Sequence, residues 1–460
     1  MTEQRYRTEH DSMGPVTVPA EALYGPQTQR AVDNFTISNR RMPVAFIRAL
    51  AEIKQAAAET NTLLGLLDQQ RGEAIRDAAR EIAESPETEH FPVSVFQTGS
   101  GTSSNMNINE VICGLAGKKG IGLSANDHVN LGQSSNDVIP SALQLSAAEE
   151  VTSRLGPALA ELAASIRRKA DEHQEVLKTG RTHLMDALPI YLQDEMEAWA
   201  MQIDECRERL ISALPRLLRL PLGGTAVGSG VNCHAEFPAR AISRLSEITG
   251  LACTSALSFF KGLSSLDTVV ELSGHLKTTA VALTKIANDL RWMNSGPLAG
   301  LGEITLPALQ PGSSIMPAKV NPVIPEAVCM AAAQVIGNDT VITLAGQSGN
   351  FQLNTMLPLA AANLLESIDL LAGSAKALAE KAIDGMRINR EVMEQALSRN
   401  PILATALNPI IGYLQAAELA KLAMLQNRPI LEIAIEMTNL PQSTLKDLLN
   451  PRNLARGGKK

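Results

Sequence analysis

From Ser264 to Trp292 the chain runs without a proline and with one glycine, Gly274. That length predicts a helix of roughly 40 Å at about 1.5 Å per residue. Leu276, Ala280, Leu283, Ala287 and Leu290 recur inside it at three-four spacing, as do Val151, Leu155, Leu159, Leu162 and Ile166, and again Met196, Trp199, Ile203, Cys206 and Leu210. Helices of this length fit an elongated bundle rather than a compact globule. Apolar residues make up 45% of the chain and aromatics only 3%, so the core is one of Ala, Leu, Ile and Met, which suits helices better than sheets. The fold expected is therefore mainly α. Alanine-rich faces permit close helix approach, and a bundle shared between copies in a closed homo-oligomer follows as the expectation.

Around that bundle the chain divides into three expected domains: residues 1–137, 138–392 and 393–460. In the first, Arg40 to Leu67 reads as the first real helix and Arg71 to Glu84 as a second, stopping before Ser85-Pro86. Asn400-Pro401 and Asn408-Pro409 mark turns in the last. The formal charge of −7, with no basic block apart from the Arg-Gly-Gly-Lys-Lys tail, gives no support for nucleic acid or anionic membrane as a partner. Five scattered cysteines without Cys-x-x-Cys spacing fit a reducing, cytoplasmic setting and argue against a thiolate metal site. The polar N-terminus lacks a signal-peptide stretch, and no uninterrupted apolar run approaches the roughly 20 residues of a membrane span.

Four neutral polar clusters punctuate the helical pattern: residues 97–109, 132–136, 180–186 and 310–321. Gln97 to Asn107 carries no charge, which suits gripping a ligand, although a buried polar connection would look similar. The second cluster holds Ser134, Ser135 and Asn136; the third reads Gly180-Arg181-Thr182-His183-Leu184-Met185-Asp186. In the fourth, Pro322 and Pro325 set a helix start beside Lys319, so free N–H groups and a positive dipole end favour an anion there. Gly99-Ser100-Gly101 and Gly223 to Gly228 look superficially like phosphate loops, but neither has Gly-Lys-Ser/Thr or a preceding strand pattern. Of seven histidines only His183 lies in such a cluster; His10, His90, His173, His234 and His275 read as surface or core filler.

Gly312-Ser313-Ser314-Ile315-Met316-Pro317-Ala318-Lys319-Val320-Asn321-Pro322 resembles the signature of the fumarase/aspartase superfamily of lyases. The likeness runs from Asp11-Ser12-Met13-Gly14 to Ile411-Gly412-Tyr413 and is strongest to its class II fumarases. It implies a three-domain fold with the long-helix bundle shared in a homotetramer, active sites built from three subunits, a small dicarboxylate substrate, and a hydro-lyase reaction between fumarate and (S)-malate needing no metal or cofactor. Elimination next to a carboxylate needs fixed donors where negative charge develops, and Ser100, Thr102, Asn136, Lys319 and Asn321 are suited to that. The resemblance adds Gly101, Ser134, Ser135, Thr182, Ser314 and Val320 to the substrate contacts.

By the same resemblance Ser313 is the base that takes the C3 proton, on a loop that closes over substrate. His183, paired with Glu326, activates or positions the water. Glu326 also has an ordinary reading as a first-turn acid complementing a helix dipole. Thr182-His183 stands where aspartases tend to carry Thr-Gln, which favours hydration over the alternative, an aspartate ammonia-lyase. Ser124, Ala125, Asn126 and Asp127 occupy the place of a His-Pro-Asn-Asp segment that forms a secondary dicarboxylate site in many class II fumarases; here His128 follows instead. A catalytically silent member of the family is the rival from another class, one expected to lack the loop chemistry.

Overall fold

The computed structural model describes residues 6–456; the first five residues and the basic end of the tail, Gly457 to Lys460, lie outside the described residues. The chain is mainly helical, as expected. A hairpin of β1 (Tyr6–Asp11) and β2 (Gly14–Pro19) opens it, followed by α1 (Pro26–Asn34), α2 (Val44–Leu63), α3 (Gln69–Glu84), α4 (Thr102–Lys118) and α5 (Ser135–Glu150). Then come α6 (Gly156–Asp171), a second hairpin of β3 (Leu177–Thr182) and β4 (Met185–Tyr191), and α7 (Leu192–Leu217). The remaining principal helices are α8 (Phe237–Thr249), α9 (Phe259–Ser264), α10 (Asp267–Met293), α11 (Val323–Gly346) and α12 (Leu357–Leu378), with short helices between Arg390 and Ala455.

The proline-poor stretch is α10, and Leu276, Ala280, Leu283, Ala287 and Leu290 are all fully buried along it. The expected helix from Arg40 to Leu67 is shorter, because Pro43 sits in extended geometry immediately before α2 and the chain turns at Leu64. An earlier helix, α1, begins with Pro26 at its first turn and was not marked by the sequence pattern. The expected boundary at Glu84 holds, and Asp68 caps α3 by accepting the Arg71 N–H.

Residue contacts divide the chain into two compact units. One runs through Pro157 and includes Cys206–Ala280 and Ala331–Gly373; the other comprises Ala158–Glu205, Val281–Met330 and the chain from Ser374 onward. In the first unit α2 packs against α3, α5 and α8 over Phe46, Leu50, Ile53 and Ala57. The second unit contains a separate apolar cluster in its C-terminal helices, centred on Leu407, Leu419, Ile433 and Leu445. All five cysteines are free thiols.

Between α2 and α5 the carboxyls of Glu52 and Glu149 hydrogen-bond to each other, and each keeps one buried oxygen without a partner among the described residues. Burial, followed by the neighbouring Glu149 charge, pushes Glu52 up to about 9. A carboxyl whose folded pKa lies above its ordinary 4.5 stabilises below that value, and the contribution is lost as pH rises through about 9. Glu52→Gln keeps a donor toward Glu149 and removes the shared proton. Its thermal midpoint is expected to exceed the wild type's by about 2–4 °C near pH 8, on the order of 1 kcal/mol, with little difference near pH 5. Equal midpoints at the two pH values, read by circular dichroism, would count against a shared proton.

Candidate active site

In the first unit, two helices begin at the same place. Thr102 and Ser135 are the first residues of α4 and α5, and their hydroxyls hydrogen-bond at 2.7 Å. Ser100 Oγ joins Thr102 Oγ1 at 2.8 Å, and Asn136 donates its amide to the Ala226 carbonyl at 2.8 Å. Two positive dipole ends bearing alcohols and an amide make an anion-receptive cup. Gly101 turns the chain into α4 with φ of +74°, and a Cβ there would come within 2.8 Å of Ile139. Glycine is therefore the residue this entry permits.

What holds α5 in place is Asp137, a fully buried carboxylate. Its side chain accepts the N–H of Ser134 while Ser134 caps the helix, a reciprocal capping box. The other oxygen accepts the N–H groups of Gly223 and Thr225, each at 2.9 Å. The glycine-rich run from 223 to 228 thus gives two of its N–H groups to an acid, but the acid is the protein's own Asp137. Burial pushes the Asp137 carboxyl upward, and the three backbone donors and Lys54 pull it back.

The run Gln97 to Asn107 divides. Ser104, Asn105 and Asn107 are buried and serve the fold: Gln97 holds the Ser104 N–H and hydroxyl, and Asn107 donates to the His90 carbonyl. Ser100 and Thr102 remain available to a ligand. At Ser124 to Asp127 the backbone makes one wide helical turn, in which Ser124 Oγ pairs with Asp127 Oδ2 at 2.8 Å and the Ser124 N–H donates to His128 Nδ1 at 2.9 Å. Asn126 is exposed and Ala125 half-buried.

The second unit carries the signature loop and His183. Gly312 to Asn321 forms a closed loop: the Gly312 N–H donates to the Lys319 carbonyl at 2.7 Å, and Asn321 donates to the Gly312 carbonyl at 2.8 Å. A Cβ on Gly312 would lie 2.5 Å from that Lys319 oxygen, so the closure requires glycine. Ser313 Oγ accepts the N–H groups of Ile315 and Met316 at 3.3 and 3.1 Å. Lys319 Nζ donates to Asn321 Oδ1 at 2.6 Å rather than to Ser313. Ser314, Val320 and Lys319 are exposed. Helix α11 starts directly after Pro322 with Glu326 in its first turn, as the two prolines predict. Lys319, Val320, Asn321 and Glu326 line a cleft of about 1210 Å³ together with Arg291, Trp292 and Asn294, which the sequence reading did not single out.

His183 sits at a two-residue hairpin tip. Thr182 pairs with Met185, leaving His183 and Leu184 as the turn with φ of +56° and +61°. Both angles positive define the turn type that suits hairpin twist but that side chains other than Asn, Asp and Gly resist. Thr182 and His183 are exposed, and among the described residues the His183 ring makes no hydrogen bond or ion pair, to Glu326 or to any other residue. Beneath the tip, Glu303 binds Lys178 at 2.9 Å and Arg181 at 2.5 Å, and Lys178 also reaches Glu195 at 2.7 Å. Lys178 and Glu303 side chains are each 2% exposed.

This helical fold, with polar clusters at helix starts and a closed Gly-Ser-Ser loop, defines a lyase class. The sequence profile of the family described as "Lyase" matches residues 14–337, and that described as "Fumarase C C-terminus" matches residues 403–456. The chain belongs to the class II fumarase family. It is 56% identical to a class II fumarate hydratase of Pseudomonas aeruginosa over 98% of this chain and 99% of that one. It is 49% identical to the class II fumarate hydratase of Mycobacterium tuberculosis over 94% and 91%. The crystal structure of class II fumarase from Schistosoma mansoni superposes with a TM-score of 0.95 at 37% identity, covering 98% of this chain and 99% of that one.

The buried triad under the hairpin yields a stability expectation. Glu303→Ala leaves Lys178 and Arg181 without their shared carboxylate, and breaking such a pair costs about 3–5 kcal/mol. The urea midpoint is expected to fall accordingly; a midpoint within about 0.5 kcal/mol of wild type, the usual range of surface changes, would show that the triad contributes little.

Proposed function

We propose that the protein is a fumarate hydratase, interconverting fumarate and (S)-malate by acid-base catalysis. The observation that carries the mechanism is the pair of N–H groups on Ser313 Oγ. An alcohol is a poor base unless its oxyanion is held, and two converging backbone donors hold one without reorganising during reaction. Ser313 takes the C3 proton; the charge that develops on the adjacent carboxylate meets Lys319 and Asn321. Ser100, Thr102, Ser135 and Asn136, at the paired helix starts, receive a substrate carboxylate, with Gly101 and Ser134 shaping the backbone there. Ser314, Val320 and Thr182 complete the enclosure.

His183 and Glu326 form the water-handling pair across copies of the chain. An exposed imidazole with no partner in its own chain, and a first-turn glutamate lining a cleft, fit two halves supplied by different protomers. Exposed apolar side chains along the bundle helices support the same assembly. On α11, Met330 is 69% exposed, and on α10 Val281 is 54% exposed. Helix α11 is long and apolar enough to cross a membrane by length and composition, yet Glu326, Asn338 and Asp339 interrupt it. A helix in a shared bundle accounts for that apolarity. The proposed assembly is a homotetramer with three protomers contributing to each site and with domains at 1–137, 138–392 and 393–460. A cytoplasmic location accords with the free thiols. A secondary dicarboxylate site at Ser124 to Asp127 would rely on Ser124 and Asn126, since Asp127 is already engaged by Ser124.

Purified protein offered fumarate in water, and separately fumarate with ammonium, is expected to consume fumarate equally in both and to form malate. Aspartate formation would instead establish an ammonia-lyase. Ser313→Ala is expected to remain a particle of four times the 49.1 kDa chain mass, with kcat reduced by about 10²–10⁴. Near-normal turnover would remove Ser313 from the base role.

A further inference from the structure

Lys54 lies on the apolar stripe of α2, in line with Phe46, Leu50 and Ala57, and is fully buried. Its ammonium nitrogen donates to Asn130 Oδ1 at 3.1 Å and Gln133 Oε1 at 2.9 Å. Neither amide is free to turn. Gln133 spends its own N–H groups on the carbonyls of Val129 and Leu131, and Asn130 donates to the Gln133 carbonyl. Asn130 Oδ1 also receives the amides of Asn105 and Asn109 from α4. One buried nitrogen therefore joins the segment leading into Ser134 to the helix whose first residue is Thr102.

We infer that Lys54 is a positioning residue for the carboxylate cup, clamping Asn130 and Gln133 so that Ser134, Ser135 and Asn136 keep register with Ser100 and Thr102. This rests on the dicarboxylate reading above. Nothing in the arrangement puts Lys54 against substrate; it acts through the two amides. The cup's hydroxyls are linked by single hydrogen bonds from Ser100 through Thr102 to Ser135, so a small shift of the 130–134 segment opens the chain of donors. A buried, desolvated nitrogen is suited to prevent that shift, because a hydrogen bond lost there is not replaced by water. Its cationic form also sets a positive charge behind a cup meant for a dianion, in a chain of net charge −7.

The test separates positioning from mere stability. Lys54→Met is isosteric along the stem and removes the donor. It is expected to raise KM for fumarate by about ten-fold or more while kcat changes less than about three-fold, because binding rather than the Ser313 step is disturbed. Gln133→Leu, which leaves Lys54 its Asn130 contact, is expected to raise KM less. The double variant should be no worse than Lys54→Met alone, since both remove one linkage. An unchanged KM in folded Lys54→Met, or a lowered thermal midpoint with KM and kcat both intact, overturns the inference. If Lys54→Met does not fold, Gln133→Leu decides, and an unchanged KM there overturns it. Wild-type protein inactive on both fumarate and malate would instead remove the underlying reading.

Discussion

The carboxylate of Asp137 is the contact on which the first unit's cup depends. It is a buried carboxyl group whose oxygens are taken up by three backbone N–H groups, at Ser134, Gly223 and Thr225. An isolated buried carboxylate would cost several kcal/mol, and hydrogen bonds to the charged form are what offset that cost. The same three bonds fix the start of α5 and draw the 223–225 backbone against it. Asn136, bonded to the Ala226 carbonyl, and Ser135, bonded to Thr102, are oriented as consequences of where Asp137 sits.

Opposite it in charge, and equally buried, is Lys54. Desolvation pushes its ammonium down to about 7, with Asp137 the charge that raises it. The two do not form a contact pair; each is satisfied by neutral backbone or amide groups. Such an arrangement keeps both charges out of the cup while letting them hold its walls. Under the proposed function the ligand-facing residues can then be neutral alcohols and amides, whose dipoles are suited to a dianion.

Much of this was legible in the sequence, and the rest was hidden for identifiable reasons. The helix from Asp267 to Met293, the start of α11 at Pro322 and the closed signature loop follow from proline placement, apolar period and glycine at a close approach. Asp137 was missed, although Ser134-Ser135-Asn136-Asp137 has the spacing of a capping box. The β3–β4 hairpin was not readable, because Lys-Thr-Gly-Arg-Thr and Met-Asp-Ala-Leu-Pro lack alternating apolar residues and its turn is His-Leu instead of Asn-Gly. Gln97 to Asn107 looked uniform, yet half of it bonds inward, since composition does not say which side of a helix start faces a neighbour. Lys54 was visible only as a lysine on an apolar stripe, a position that normally marks a solvated end reaching past the core.

The hairpin shows how the fold sustains an unfavourable backbone at His183 and Leu184. Two non-glycine residues with left-handed φ cost roughly 1–2 kcal/mol each, so His183 and Leu184 need support from outside the turn. That support is the Lys178–Glu303–Arg181 cluster, in which two side chains of β3 are tied to one nearly inaccessible carboxylate. Breaking it would cost about 3–5 kcal/mol, more than either strained residue would release by relaxing. The strained turn is thereby sustained, and its residues stay exposed: beside His183, Leu184 and Met185 are 67% and 70% exposed. An exposed imidazole flanked by exposed apolar side chains is suited to meeting a second protein surface, which is what the proposed assembly asks of it.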